Sequence, residues 1–408
     1  MELTGIRFID DLDLEPETPV FIRTDFNVPL SDDGEVEDDF RIRAAIPTIE
    51  HAVQKDCRVI LASHLGRPGG ERNPELSMEP VGEALTELMD IEVVLPEDLT
   101  GHPVQRLVSN LKPGNQVMLL ENLRFDPGEK GADKEFAEGL AELADLYVND
   151  AFGAMHRKHA SVYTMAQFFD RDEKAAGRLV KSELEHLGDL LDEPKRPFTA
   201  IMGGAKVSDK LGVMERLSKK VDRILVGGAM AYTFLKADGE RVGDSMVEED
   251  YVAQAGRILD TATSRGVDIV LPLDHVVAPG FDAVEADVQT TEGPGIPDGN
   301  MGLDIGPRTV EAYSEAIRES RTVFWNGPMG VFEKDLFARG TLEIARTLAL
   351  APCHSVVGGG DSASAVRKAE VTEAIDHVST GGGAALQVVE GKALPGVDAL
   401  RANHPFDD

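Results

Sequence analysis

Cysteine is nearly absent from this chain, with Cys57 and Cys353 alone among 408 residues. Both sit in or beside apolar, strand-like runs and read as reduced, buried thiols rather than a disulfide framework. Long hydrophobic runs are missing too, since none approaches the ~20 residues needed to span a bilayer. The opening stretch, MELTGIRFIDDLDLEPE, has no basic segment followed by an apolar one, so no secretory signal is visible. These absences lead to the expectation of a cytoplasmic protein with no membrane partner.

Positive charge is scarce, at 41 Lys+Arg against 73 Asp+Glu, for a formal net charge of −32. Lysine is the scarcer of the two, with 16 residues against 25 arginines. The acids are dispersed along the chain rather than gathered into a tail. Such a surface stays hydrated when concentrated salt screens its self-repulsion, so a salt-adapted, halophilic protein is expected. Nucleic acid is disfavoured as a partner.

A chain of this length exceeds one ordinary core, and two domains are expected. In the first half, strand-like runs fall near Val20–Thr24, Arg58–Ser63, Glu92–Leu95, Gln116–Glu121 and Leu146–Asn149. Helix-period segments such as Arg41–Gln54, Glu79–Met89 and Lys134–Ala144 lie between them. The second half repeats the style with Phe198–Met202, Arg223–Val226, Asp268–Leu271, Thr322–Trp325, Ser355–Val357 and His377–Ser379. Runs rich in Val, Ile and Leu on both faces predict parallel strands covered by helices. The expected fold class is α/β, with two doubly wound, Rossmann-like domains joined by a hinge. The charged, small-residue stretch at 170–181 marks the boundary. It divides the chain into 1–175, 176–390 and a C-terminal segment, 391–408.

Ligands of open parallel sheets bind beyond the carboxyl ends of the strands, so the strand exits matter most. In the first half these exits carry Asp25 and Asn27, His64 and Arg67, Arg124, and Arg157, while Arg41 begins the first long helix. Cations converging on one sheet end repel each other unless an anion neutralises them. Arginine also holds phosphate or carboxylate bidentately. A small phosphorylated acid bearing a hydroxyl is the expected ligand. His156 and His159 lack a carboxylate or thiol companion at ligand spacing, and they read as polar loop residues rather than metal ligands.

The second half ends its strands with glycine: Gly203-Gly204, Gly227-Gly228, Asn326-Gly327, Gly358–Gly360 and Gly381–Gly383. Glycine at a strand-to-helix turn lets backbone amides approach phosphate at the positive end of a helix. No G-x-x-x-x-G-K-[ST] occurs, which excludes a P-loop. Gly358-x-Gly360-x-x-Ala363 fits the loose dinucleotide fingerprint, but no acidic residue closes the next strand to hold a ribose. Lys206 and Lys210 have i, i+4 spacing, which predicts one helix face looking at the glycine turn. Asp361 at a helix start is either an N-cap or a magnesium carboxylate.

In order, RTDFNVP, SHLGRP, LENLRF, HRKHAS, GGAKVSDK, VGGAMAYTFL, WNGPMGVFE, GGGDS and STGGGA resemble phosphoglycerate kinases over nearly the whole chain. The resemblance implies reversible phosphoryl transfer from 1,3-bisphosphoglycerate to MgADP, giving 3-phosphoglycerate and MgATP. By the same resemblance, Asp25, Phe26, Asn27, Arg41, His64, Leu65, Gly66, Arg67, Arg124 and Arg157 bind the glycerate ligand. Gly204, Lys206, Lys210, Gly227, Gly228, Asn326, Glu333, Gly359, Gly360, Asp361 and Ser362 bind nucleotide, with Asp361 toward Mg²⁺. Arg41, Lys210, Gly382 and Gly383 are implied at the transferring phosphoryl group. The family usually carries Thr where Ser362 stands. A monomer is expected, with hinge closure through 177–184 and a C-terminal segment, 391–405, returning to the first domain. A different kinase for a phosphorylated acid, or a non-catalytic sensor of such a ligand, stays open at this point.

Overall fold

A computed structural model of the chain describes residues 5–401. It divides into two compact units, residues 5–185 with 393–401 and residues 186–392.

The first unit runs β1 (Pro19–Arg23), α1 (Phe40–Val53), β2 (Arg58–Ala62), α2 (Glu79–Met89), β3 (Glu92–Val94), α3 (His102–Asn110), β4 (Gln116–Leu119), α4 (Pro127–Gly131), α5 (Lys134–Ala141), β5 (Leu146–Asn149) and β6 (Lys174–Ala176). Helix α6 (Arg178–Asp192) follows, and the division between the units falls within it. The six strands form one parallel sheet in the order β3-β4-β2-β1-β5-β6. Val20, Phe21 and Ile22 of β1 and Val59, Ile60 and Leu61 of β2 are fully buried. Helices on both faces remove the alternation a one-sided sheet would show. Each such side chain contributes roughly 1.5–3 kcal/mol by leaving water.

The second unit continues with β7 (Phe198–Met202), α7 (Leu211–Leu217), β8 (Arg223–Val226), α8 (Met230–Ala237), α9 (Val252–Ser264), β9 (Asp268–Val270), β10 (His275–Ala278), β11 (Gln289–Thr290), β12 (Met301–Ile305), α10 (Pro307–Glu319), β13 (Thr322–Asn326), α11 (Arg339–Leu350), β14 (His354–Gly358), α12 (Gly360–Lys368), β15 (His377–Val378) and α13 (Gly382–Glu390). Its parallel sheet has the order β15-β14-β13-β7-β8-β9. Helix α14 (Pro395–Arg401) lies in the first unit.

Two features go beyond the sequence reading. Lys174–Ala176 is an edge strand paired with β5, although two alanines and a lysine carry little strand preference. Strands β10, β11 and β12 make a separate antiparallel sheet, β11-β10-β12, inside a stretch read as one strand and loops. Among the described residues, no helix is long and apolar enough to cross a membrane.

Candidate functional site

At the carboxyl end of the first sheet, β1 closes on Arg23, which is fully buried. Its Nε donates to Ser161 Oγ at 2.7 Å, and its Nη2 lies 3.2 Å from His64 Nδ1. Glu129 of α4, also fully buried, stands 3.7 Å from the same guanidinium and accepts from the Ser161 amide and hydroxyl. Sequence reasoning passed over both residues. The only signal was an arginine ending an otherwise apolar strand.

Asp25 accepts from Arg41 Nη1 at 3.1 Å, and the same nitrogen donates to the Asn27 carbonyl at 3.2 Å. Burial alone would raise the Asp25 carboxyl, but the charges of Arg41 and Arg23 outweigh it and hold it below the usual range. Asn27 Oδ1 accepts from the Gly66 amide at 2.8 Å, and Arg124 Nη1 donates to the Gly66 carbonyl at 2.7 Å. Gly66 has φ +59°, and a Cβ there would lie 2.7 Å from Leu76 Cδ2, so the position takes glycine. Phe26 and Leu65 are buried and contribute packing, their amides being fixed by Ser63 and Asn122.

The cations share one electrostatic neighbourhood. Burial, then Arg23 and Arg157, lower Arg124 to about 10. Burial, followed by Arg23, Arg124, Arg157 and His156, pushes His159 down to about 3. His64 is depressed by burial first, with Asp25 opposing and Arg23, Arg124 and Arg41 adding to the shift. An Nδ1 that accepts from Arg23 leaves a neutral ring with its N–H at Nε2. His64 is therefore a hydrogen-bond donor rather than one of the pocket's cations, which corrects the sequence reading of it as a positive group. Arg157 is exposed and donates to His156 Nε2, while Arg67 stands exposed on the loop after β2.

In the second unit the glycines divide into two classes. A Cβ on Gly203 would lie 2.2 Å from the Pro328 carbonyl, on Gly227 2.4 Å from Met329 Sδ, on Gly228 2.5 Å from the Gly204 amide, and on Gly327 2.2 Å from the Gly203 carbonyl. The amides of Gly203, Gly204 and Gly228 already donate to the carbonyls of Asn326, Pro328 and Met329. These glycines let the exits of β7, β8 and β13 approach closely, and the amides of Gly203, Gly204, Gly227 and Gly228 are committed to neighbouring backbone. That corrects the expectation of phosphate-directed amides at these turns. Gly360 is different: a Cβ there would meet nothing within 4 Å. Gly360 opens α12, Gly382 opens α13, and a Cβ on Gly382 would lie 3.5 Å from the Gly360 amide. Two helix starts, each with first-turn amides lacking helical partners, thus adjoin.

Lys206 and Lys210 do not share a helix face. Gly204, at φ +98°, and a turn through 208–210 delay α7 to Leu211, leaving Lys206 exposed and Lys210 as the N-cap. Lys210 Nζ donates to Asn326 Oδ1. Burial lowers its ammonium to about 8, against the pull of Asp361 and Asp209. Asp361 is exposed in the first turn of α12, and Ser362 Oγ is buried, accepting from the Gly327 amide at 2.6 Å. Next to these groups lies a cavity of about 380 Å³, lined by Tyr232, Met246, Phe281, Met301, Leu303 and Val331 and reached by Glu333 and Asp361. Its apolar lining went unread in the sequence. No local pattern in the sequence marks it, and in the fold Met246 and Phe281 are left 49% and 46% exposed.

The phosphoglycerate kinase family model matches residues 9–392. The chain belongs to the phosphoglycerate kinase family. It is 54% identical to a phosphoglycerate kinase of Anaeromyxobacter sp. (strain K), over 97% of this chain and 99% of the relative. It is 49% identical to one from Koribacter versatilis, over 96% and 98%. Among solved structures, phosphoglycerate kinase from Coxiella burnetii superposes with TM-score 0.83 at 36% identity, covering 97% of this chain and 98% of that one. The Pyrococcus horikoshii OT3 enzyme gives 0.85 at 32% identity, with the same coverage. The chain is thus an enzyme with phosphoglycerate kinase activity, a phosphotransferase acting on a carboxyl group. The family uses a magnesium nucleotide. Among the described residues, no group of three or more His, Cys, Asp or Glu is placed to hold a metal. A single exposed carboxylate at a helix start fits Mg²⁺, which keeps waters and takes its other ligands from phosphates.

Proposed function

We propose that the two sets of strand exits are half-sites of this one reaction, the cationic set for the glycerate substrate and the glycine-rich set for the nucleotide. The observation carrying this reading is the gathering of Arg23, Arg41, Arg124 and Arg157 about His64 and His159 in a chain of net charge −32. An acidic protein repels a phosphorylated acid everywhere except at such a pocket.

On this reading Arg124, Arg157, Arg67 and the His64 N–H hold the phosphate and carboxyl ends, and Asp25 and Asn27 take the hydroxyl. In the cavity the purine base meets Tyr232, Met246 and Phe281, and Glu333 accepts from the ribose hydroxyls. The starts of α12 and α13 face the phosphates, with Asp361 toward Mg²⁺, which when bound would neutralise phosphate charge. Toward ATP, the bond between phosphorus and the acyl oxygen breaks while a terminal ADP oxygen bonds phosphorus, releasing a carboxylate. Toward 3-phosphoglycerate consumption, the attacking carboxylate is already ionised at neutral pH, its reference pKa being about 4. No general base is required. Arg41, Lys210 and the Gly382 and Gly383 amides neutralise charge on the moving group, which is most of what phosphoryl transfer asks of a protein.

Both half-sites must meet away from water, so hinge closure through 177–184 and 391–405 belongs to the proposal, residues 402–405 lying outside those described. So do a monomeric state, a cytoplasmic location and adaptation of the acidic surface to salt.

Calorimetric titration of 3-phosphoglycerate and of MgADP into wild type and Arg124→Met tests the assignment. Loss of 3-phosphoglycerate binding with MgADP binding retained is expected. Loss of both, or of neither, overturns it. Small-angle scattering with both ligands tests closure, and an unchanged radius of gyration overturns it.

A further inference from the structure

Glu333 is exposed on the segment after β13, and its sequence neighbours are fastened in opposite directions. Lys368, in the last turn of α12, donates to the Phe332 carbonyl at 2.9 Å and pairs with Asp335 at 2.9 Å. Lys334 reaches the other way, donating to the Phe281 carbonyl and pairing with Asp282 at 2.9 Å. Phe281 lines the apolar cavity and is 46% exposed as a residue. Helix α12 carries Asp361 and Ser362 in its first turn. The Glu333 segment is thus tied at one end to the helix that bears Asp361 and at the other to the rim of the cavity.

We propose that Lys334 and Lys368 are positioning residues that align Glu333 and Phe281 with the start of α12, so that base, ribose and phosphates are gripped in register. The proposal rests on reading the cavity as the base slot. Both lysines hold a backbone carbonyl, which fixes main chain and leaves the Phe281 ring and the Glu333 carboxylate free for ligand. A half-exposed aromatic ring at a cavity mouth gains by being covered, and its backbone anchor sets where that cover must lie. The two ties also differ in reach. Lys368 of α12 reaches the segment after β13 from 36 positions away, whereas Lys334 joins that segment to a turn 52 positions away in the other direction.

The lysine side chains are 42% and 34% exposed and the paired aspartates nearly fully so. Ion pairs of this kind are weak and are screened by salt. Their effect belongs in nucleotide affinity rather than in folding.

The test measures KM for ATP, KM for 3-phosphoglycerate and kcat in Lys334→Met, Lys368→Met, Lys334→Arg, Asp282→Asn, Phe281→Ala and Lys334→Met combined with Phe281→Ala. Each Lys→Met change is expected to raise the ATP KM about two- to fivefold, with kcat and the 3-phosphoglycerate KM moving less than about twofold. Lys334→Arg keeps a donor and restores the ATP KM. Asp282→Asn gives part of the loss, and the Lys334→Met effect shrinks in about 1 M KCl. In the Phe281→Ala background, Lys334→Met raises the ATP KM by a smaller factor than in wild type, because only the alignment of Glu333 remains to be lost. An ATP KM unchanged by Lys334→Met but raised by Phe281→Ala overturns the positioning role and leaves the base slot standing. An ATP KM unchanged by Phe281→Ala overturns both. Equal losses of kcat and affinity for both substrates also overturn the positioning role, because they report general loosening.

Discussion

Asn27 and Arg124 grip opposite ends of one residue: Asn27 Oδ1 accepts from the Gly66 amide, and Arg124 Nη1 donates to the Gly66 carbonyl. Residues from the exits of β1 and β4 therefore set the loop after β2. Gly66→Ala puts a Cβ at φ +59° and 2.7 Å from the end of the Leu76 side chain. A non-glycine residue in that region costs of order 1–3 kcal/mol. The expected outcome is a lower unfolding midpoint and a raised KM for 3-phosphoglycerate, with the ATP KM unchanged. Steady-state kinetics and urea unfolding check both.

Arg41 and Lys206 should separate kinetically. Arg41 is held by Asp25 in the cationic half-site, whereas Lys206 is exposed in the turn before α7. Removing a cation that acts on the moving phosphoryl group costs about 10²–10³ in kcat. Arg41→Ala is expected to show that loss, and Lys206→Ala to act mainly on the nucleotide KM. Equal kcat losses in both would refute the division of roles.

Burial brings the Lys210 ammonium down toward mildly alkaline pH, to about 8. In the proposed role the cation is the form that would neutralise transferring charge. Above that pH the ammonium is lost, so kcat is expected to fall as pH rises through about 8. Lys210→Arg should remove this alkaline limb, because a guanidinium stays charged. A pH profile from 6 to 10, taken in both proteins, decides the matter.

Asp150 follows β5, and its Oδ1 accepts from the Val180 amide at 3.1 Å while Oδ2 is buried without a hydrogen-bond partner. Burial raises its carboxyl to about 7, against hydrogen bonds from Thr48, Val180 and Leu179. The folded form therefore binds a proton that the unfolded chain releases near the ordinary value of 3.8. Between those two values the folded state holds more protons, so this group's contribution to stability falls as pH rises, by at most about 1.4 kcal/mol per unit. Asp150→Asn should flatten that slope between pH 4 and 7 in denaturant titrations. An unchanged slope would count against it.

The acidic surface is expected to make folding and turnover depend on salt. With net charge −32, screening should raise the urea midpoint and kcat as KCl increases from about 0.1 M to above 1 M. Full stability at low salt would refute the salt adaptation.

Apolar runs in sequence were enough to place most strands of both parallel sheets, because strands buried on two faces need continuous Val, Ile and Leu. Lys174–Ala176 escaped notice because its pairing with β5, not its composition, makes it a strand. The antiparallel sheet around Met301 and the cavity beside it were missed for a related reason. Tyr232, Met246, Phe281 and Leu303 look like scattered core residues until they share one wall. Lys206 and Lys210 misled because their spacing suits a helix, while the turn at 208–210 starts that helix only at Leu211.

Sequence by itself determined two α/β units, cations at one set of strand exits, glycines at the other, and thereby the chemistry of the ligands. Tertiary structure alone decided which of those groups act together. Arg23 became the buried centre of the cationic set, held by Ser161 from 138 positions away, while Arg67 stayed at the surface. His64 became a neutral donor, and the amides of Gly203, Gly204 and Gly228 were committed to neighbouring backbone. A strand exit fixes where a residue emerges. Its charge, its burial and its free hydrogen-bonding groups depend on atoms that only folding brings beside it.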